Sequence, residues 1–350
     1  MSPSETRVLP GPRPTLPDTG RSRPRRTTGL LLGTALLIAA TALSLAVGAE
    51  RIPLGDVWSA LFSPSGSRHD NIVRELRLPR TLIGIAAGAA LGLAGGVMQV
   101  LTRNPLADPG LLGVNAGASA AVVTAIAVFG ITSFTGYLWF ALVGAAVAAV
   151  LVNALGGTRS ATPVRLALAG TAVNAALFGY VNGLQLWDLS TLDSMRYWTV
   201  GTLEKRDPGL LLDTLPLLVA GALLAFALAR PLGAIALGED QARALGASVR
   251  RTRVLSVVAI TLLCGSATAV CGPISFVGLM IPHAVRAFTG PEPRWMLPYC
   301  ALYAPALMLV SDVIGRVVVP PSEIQVDIVT SFLGGLLFIH LVRQRKVAKL

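Results

Sequence analysis

Few side chains in this 350-residue sequence can do covalent chemistry, and none is spaced for it. His69, His283 and His340 lie far apart. His283, in "IPHAVR", reads as a structural hydrogen-bonding residue, with a ligand or proton carrier as the alternative. Cys264, Cys271 and Cys300 make no CxxC pair and lack metal-ligand spacing, so they read as small apolar residues. There is no HExxH helix, no paired-carboxylate site and no nucleophile beside a base. The only lysines are Lys205, Lys346 and Lys349, and none sits in G-x-x-x-x-G-K-[ST]. This chain therefore has no phosphate-cradling loop of that type. No metal or cofactor is expected on it, and any ATP must be hydrolysed elsewhere.

What surrounds these residues is apolar. The composition is 53% hydrophobic and 13% charged, with mean hydropathy +0.67; soluble domains carry about 25% charged residues. Runs of roughly 18–25 apolar residues recur, each long enough to cross a ~30 Å hydrocarbon core. About ten spans are predicted, near 29–47, 79–101, 110–129, 137–155, 163–186, 209–229, 253–271, 277–288, 294–314 and 325–342. The eighth is too short to cross alone and is tolerated only inside protein or along a water-filled path. The fold class is all-α and polytopic; scattered glycine and few aromatics speak against an outer-membrane barrel.

The net charge is +11, nearly all of it from arginine. In such a chain the positive-inside rule accounts for the excess better than nucleic acid does. Arg7, Arg13, Arg21, Arg23, Arg25 and Arg26 precede the first span, and Arg343, Arg345, Lys346 and Lys349 follow the last. An even number of spans puts both ends in the cytoplasm, along with Arg243, Arg250, Arg251 and Arg253. Residues 1–28 read as a disordered basic tail, with a signal peptide as the weaker alternative, and 343–350 as a second basic tail. The segment 50–80 breaks the rule, with Arg51, Arg68, Arg74, Arg77 and Arg80 outside. Arg74 with Asp70 is expected to form a local surface pair.

Four patterns stand out. Gly84, Gly88, Gly92 and Gly96 form a stripe that lets another helix approach backbone to backbone, either as plain packing or as a moving contact. In "LTRNPLADPGLLGVNAG" (101–117), Pro105 and Pro109 break the helix while Asn104 and Asp108 can satisfy freed backbone groups. This connector is expected at the cytoplasmic edge of the membrane. Thr171, Asn174, Phe178, Asn182 and Gln185 share one helical face, lining a polar path or bonding a neighbouring helix. Gly238 and Gly246 bracket a short helix in which Glu239 precedes Arg243 by four residues and Ala242 and Leu245 give a small apolar face. It suits docking to a soluble partner, or an interfacial position.

The sequence "RLPRTLIGIAAGAALGLAGGVMQVLTRNPLADPGLLGVNAGA" (77–118) resembles the permease subunits of binding-protein-dependent ABC importers for iron chelates, haem and cobalamin. "ALGEDQARALGASV" (236–249), "GPISFVGLMIPHAVR" (272–286) and the late Asp312 and Arg316 follow in the family's order, and the likeness covers about residues 29–342. It implies a type II importer fold with ten transmembrane helices in a bacterial cytoplasmic membrane, paired with a like or sister permease around a pore. It implies that ATPase subunits, carrying the ATP and Mg, grip 238–246. It also implies that Arg77, Arg80 and Arg316 meet acidic residues of a substrate-binding lipoprotein. Met98, Gln99, Asn104 and Pro105 fall in its motif for the path and its packing, and the span with Asn174, Asn182 and Gln185 lies beside that path. Iron–siderophore complexes are the expected cargo, with haem or cobalamin as alternatives. Ser275, Gln325, Asp327 and Leu336 depart from the family pattern. A different class, an ion-coupled secondary transporter, would need an intramembrane acid; Asp312 is the candidate, and Arg316 can neutralise it.

Overall fold

The computed structural model describes residues 23–131, 133–156, 163–204, 208–320 and 322–347. Among them every regular element is helical. The chain opens with α1 (Arg23–Ala46), α2 (Leu54–Phe62) and α3 (Arg68–Asn71), then a π-helical stretch (Ile72–Arg77) leading into α4 (Leu78–Leu101). A 3-10 turn (Pro109–Leu112) precedes α5 (Val114–Ala127), followed by α6 (Phe134–Gly156), α7 (Pro163–Trp187), α8 (Leu189–Thr199) and α9 (Pro208–Ala227). Two short helices, α10 (Ala229–Ala236) and α11 (Glu239–Ala244), lead to α12 (Val249–Cys271), α13 (Val277–Thr289), α14 (Pro293–Val318) and α15 (Val326–Val347).

An apolar helix stands at each of the ten expected spans. Seven are long and apolar enough to cross a membrane: α1, α4 with its lead-in, α6, α7, α9, α12 and α14. The apolar parts of α5 and α15 are shorter, and α13 has 13 residues. The count of ten is thus approximate by length. Helix α1 already begins at Arg23, inside the stretch expected as tail, and α15 runs on to Val347. Residues 1–22 and 348–350 of the two tails lie outside the described residues.

The core is built around α4, and the glycine stripe is the reason. A Cβ on Gly88 would sit 2.6 Å from Pro305 Cα, and one on Gly92 2.5 Å from Ala304 Cβ and 2.8 Å from the Cys300 carbonyl. Gly84 faces Leu309 and Gly96 faces Leu297, so α14 runs antiparallel along the stripe. Gly95, one residue off it, meets the backbone of Gly278 in α13. Gly117 and Gly144 join α5 to α6 by the same device. Lipid tails give no hydrophobic drive between helices, so close contact of this kind carries the packing.

Antiparallel register fixes two ends. At one, where α1 begins and α15 finishes, Arg26 pairs with Glu292 at 3.1 Å and lies 5.4 Å over the Trp295 ring. Tyr303 donates to the Gly29 carbonyl at 2.9 Å and Tyr299 to that of Arg26. This is called the terminal end below, and the other the far end.

Candidate functional site

At the far end, Arg80 and Arg316 form one network with two acids, and Arg77 lies beside it. Arg80 grips Asp312 through Nε (3.0 Å) and Nη2 (2.7 Å), and Glu323 through Nη1 (2.7 Å). Arg316 reaches the other Asp312 oxygen at 3.1 Å and the Ser44 carbonyl and hydroxyl at 3.1 Å each. Arg77 donates to the carbonyls of Leu45 and Glu50. Asp312 is 1% exposed, so it is a buried, doubly paired carboxylate that ties α14 to α4. Arg77, Arg80 and Arg316 are therefore engaged by their own chain, not projecting free toward a partner. They still line a cavity of about 320 Å³, together with Glu75, Glu204 and Glu323. The expected Arg74–Asp70 surface pair is corrected: Asp70 is buried and accepts from Ser65 N (2.7 Å), Ser65 Oγ (3.0 Å) and Ser67 N (3.0 Å), closing a capping box at α3. Backbone donors at a helix start outcompete an exposed guanidinium.

The polar connector folds back into the bundle. Arg103 and Asn104 are exposed at the end of α4 and Pro105 is half-buried. Asn104 Oδ1 accepts from Leu106 N at 3.0 Å, and Asp108 Oδ1 from Gly110 N at 2.7 Å, filling donors that the prolines strand. Then Pro109 packs on Gly278, which also touches Leu91 halfway along α4. The Gly110 carbonyl accepts from Asn174, near the middle of α7, at 3.2 Å. So the end of the connector expected at the membrane edge, Asp108 and Pro109, already turns back among the spanning helices, and 110–113 open the next span as expected, half-buried or buried against protein. Irregular backbone among spanning helices is tolerated only where protein surrounds it. Gly113, at φ 76, makes the turn that starts α5. Next, Asn115 Oδ1 accepts from Thr268 Oγ1 of α12 at 2.8 Å. Upstream, Met98 and Gln99 are buried, and Gln99 Nε2 donates to the Leu279 carbonyl of α13 at 3.0 Å.

Helix α7 divides its polar stripe. Asn174 turns inward to the connector, and Gln185 is half-buried. Thr171, Phe178 and Asn182 are exposed, and the helix is the least covered of the seven long spans, at 17%. Gly179 and Gly183 have open space beside them. An exposed spanning face that carries Asn182 and two open glycines is ill-suited to lipid alone.

At the terminal end, α10 packs on α4 and α14 with Leu232 in the main core, while α11 packs on α10 and α12 and stands off the bundle. Gly238 (φ 123) and Gly246 (φ 80) set the two turns that free the short helix. Ala242 packs with Ile235 and Val249, while Leu245 is 68% exposed. Glu239 clasps Arg243 at 3.2 Å and Arg253 of α12 at 2.8 Å, so one carboxylate links the short helix to a spanning helix. Asp327, one of the departures, caps a loop: its Oδ1 accepts from Ser275 N at 2.7 Å.

Among the described residues no group of acids, histidines and cysteines could hold a metal ion. A multi-pass helical bundle with a polar connector that folds back among its helices and a stand-off helix is the build of a membrane transport subunit. The chain belongs to the FecCD transport family, whose profile matches residues 36–344. It is 49% identical to the ferric enterobactin transport system permease protein FepD of Escherichia coli over 91% of this chain and 94% of that one. It is 34% identical to the hemin transport system permease protein HmuU of Yersinia pestis, over 93% and 98%. A solved metal-chelate type ABC transporter in an inward-facing conformation matches with TM-score 0.79 at 26% identity, covering 91% of this chain and 99% of that one.

Sequence reasoning missed Ser44, Asn115, Thr268 and Glu323. A polar residue inside an apolar run was the available signal, but the partners lie 153 residues apart for Asn115–Thr268 and 272 for Ser44–Arg316.

Proposed function

We propose that this chain is the permease subunit of an ATP-driven importer of iron–siderophore complexes. The 49% identity to a ferric enterobactin permease over nearly the whole of both chains carries the cargo class. Two ATPase subunits, bearing ATP and Mg, bind at the terminal end, which faces the cytoplasm. A substrate-binding lipoprotein docks at the far end, and a second permease subunit completes the pore. The chain makes no covalent change in its cargo; partners bias it between two conformations through contacts that differ between them.

The stand-off helix α11 supports the coupling. Exposed Leu245 offers an apolar tip to a partner's groove, and Glu239–Arg253 passes displacement of that tip to α12. At the far end, a carboxylate of the binding protein that entered the cavity would compete with Asp312 and Glu323 for Arg80. Docking then loosens the α4–α14 tie. The exposed face of α7 with Asn182 flanks the path between the two permease subunits.

Uptake of labelled ferric siderophore, haem and cobalamin by a deletion strain and its complemented parent tests the reading. Restored accumulation of the ferric siderophore alone supports it. Restoration of haem or cobalamin alone replaces the cargo, and restoration of none rejects transport of this class.

A further inference from the structure

The arginines beside α11 are more numerous than its acids can occupy. Glu239 is shared by Arg243 and Arg253, and Asp240 takes the remaining edge of Arg243 at 3.1 Å. Arg250 and Arg251 are exposed in the first turn of α12 and make no ion pair among the described residues. Next to them is a cavity of about 470 Å³ between one end of α6 and the start of α12, lined by Asn153, Arg243, Ser248, Arg250, Arg253 and Val254. Its walls hold three guanidiniums against one carboxylate, Glu239.

The apolar surface continues from the mouth of this cavity. Val254 and Val258 of α12 are 48% and 41% exposed, and Val150 of α6 is 68% exposed. A basic hollow thus opens where the exposed apolar skin of two spanning helices meets their polar ends. We propose that it binds the phosphate headgroup of an anionic phospholipid, with the acyl chains laid along Val150, Val254 and Val258. A planar guanidinium matches phosphate oxygens edge to edge, and basic side chains at a membrane surface attract anionic lipid. A free phosphate would satisfy the arginines but not the adjoining apolar strip. The bound phosphate competes with Glu239 for Arg253, so lipid in this hollow slackens the link between α11 and α12. The site requires only the membrane-spanning fold, so its failure would leave the transport reading standing.

The test is native mass spectrometry of the full-length chain in mild detergent, titrated with chain-matched phosphatidylglycerol and phosphatidylcholine. Wild type retains phosphatidylglycerol preferentially. Arg250→Gln, an exposed change that leaves folding intact, weakens that retention about five-fold, as expected for one basic residue near a membrane surface. Equal retention of the two lipids, or unchanged retention in Arg250→Gln, overturns the site. Displacement by millimolar inorganic phosphate as readily as by competing lipid would show a headgroup-only site and overturn the acyl strip. Expulsion of the lipid on adding the ATPase subunits would assign the hollow to the protein partner instead, and would equally overturn it.

Discussion

Replacing glycines along α4 by alanine grades the packing claim one position at a time. At Gly88 the new Cβ would lie 2.6 Å from Pro305 Cα, whereas ordinary contact begins near 3.4 Å. The clashing atom is backbone, so α4 and α14 must part by about 0.8 Å, the difference of those two distances. Overpacking of this kind costs about 1–3 kcal/mol, against which alanine's better helix propensity returns up to about 1 kcal/mol. Gly88→Ala should therefore be net destabilising. At Gly96 the nearest atom is Leu297 Cδ2 at 3.0 Å, the far end of a side chain that can rotate. Gly96→Ala should cost less than Gly88→Ala, and can be neutral. At Gly179 nothing lies within 4 Å, so alanine leaves the isolated chain unharmed. Thermal unfolding of the purified variants in one detergent reads the order. If Gly88→Ala unfolds no earlier than Gly96→Ala, the assigned backbone contact is wrong.

Other perturbations reach the remaining sites. Asp312→Asn removes the one carboxylate shared by two buried guanidiniums and leaves Arg80 only Glu323 and Arg316 only Ser44. Losing one partner of a buried pair costs about 3–5 kcal/mol, and the melting temperature should fall by more than in Glu323→Gln, whose carboxylate is 24% exposed. Thr268→Val leaves Asn115 Oδ1 without its hydroxyl donor and should cost about 1–3 kcal/mol in the same assay. Glu239→Ala removes a partly exposed pair, worth about 1 kcal/mol or less to stability. Uptake should nevertheless collapse while the membrane level of the protein holds; unchanged uptake would dismiss α11 as the coupling element.

Seven of the spans were legible because each is a long apolar run, and composition reports that directly. Depth was not. The connector at 103–109 reads as a loop because prolines and polar residues break a helix wherever they sit. Only the Asn174–Gly110 bond and the Pro109–Gly278 contact reveal that its second half is inside the bundle. Charge misled in a similar way. Arg77 and Arg80 looked anomalous on the far side because their partners are remote in sequence: Asp312 lies 232 residues from Arg80. Local pairs were easier, since Glu239–Arg243 and Asp312–Arg316 follow from helical spacing alone. The glycine stripe announced a close helix contact, but the choice of α14 over any other helix needed three dimensions.

Transport driven by a separate motor is tested most directly by reconstitution. The permease is placed in lipid vesicles with its binding protein and ferric siderophore, with or without the ATPase subunits, under a proton or sodium gradient. Concentrative uptake only when the ATPase and ATP are both present is the predicted result. Accumulation driven by the ion gradient in their absence would contradict it.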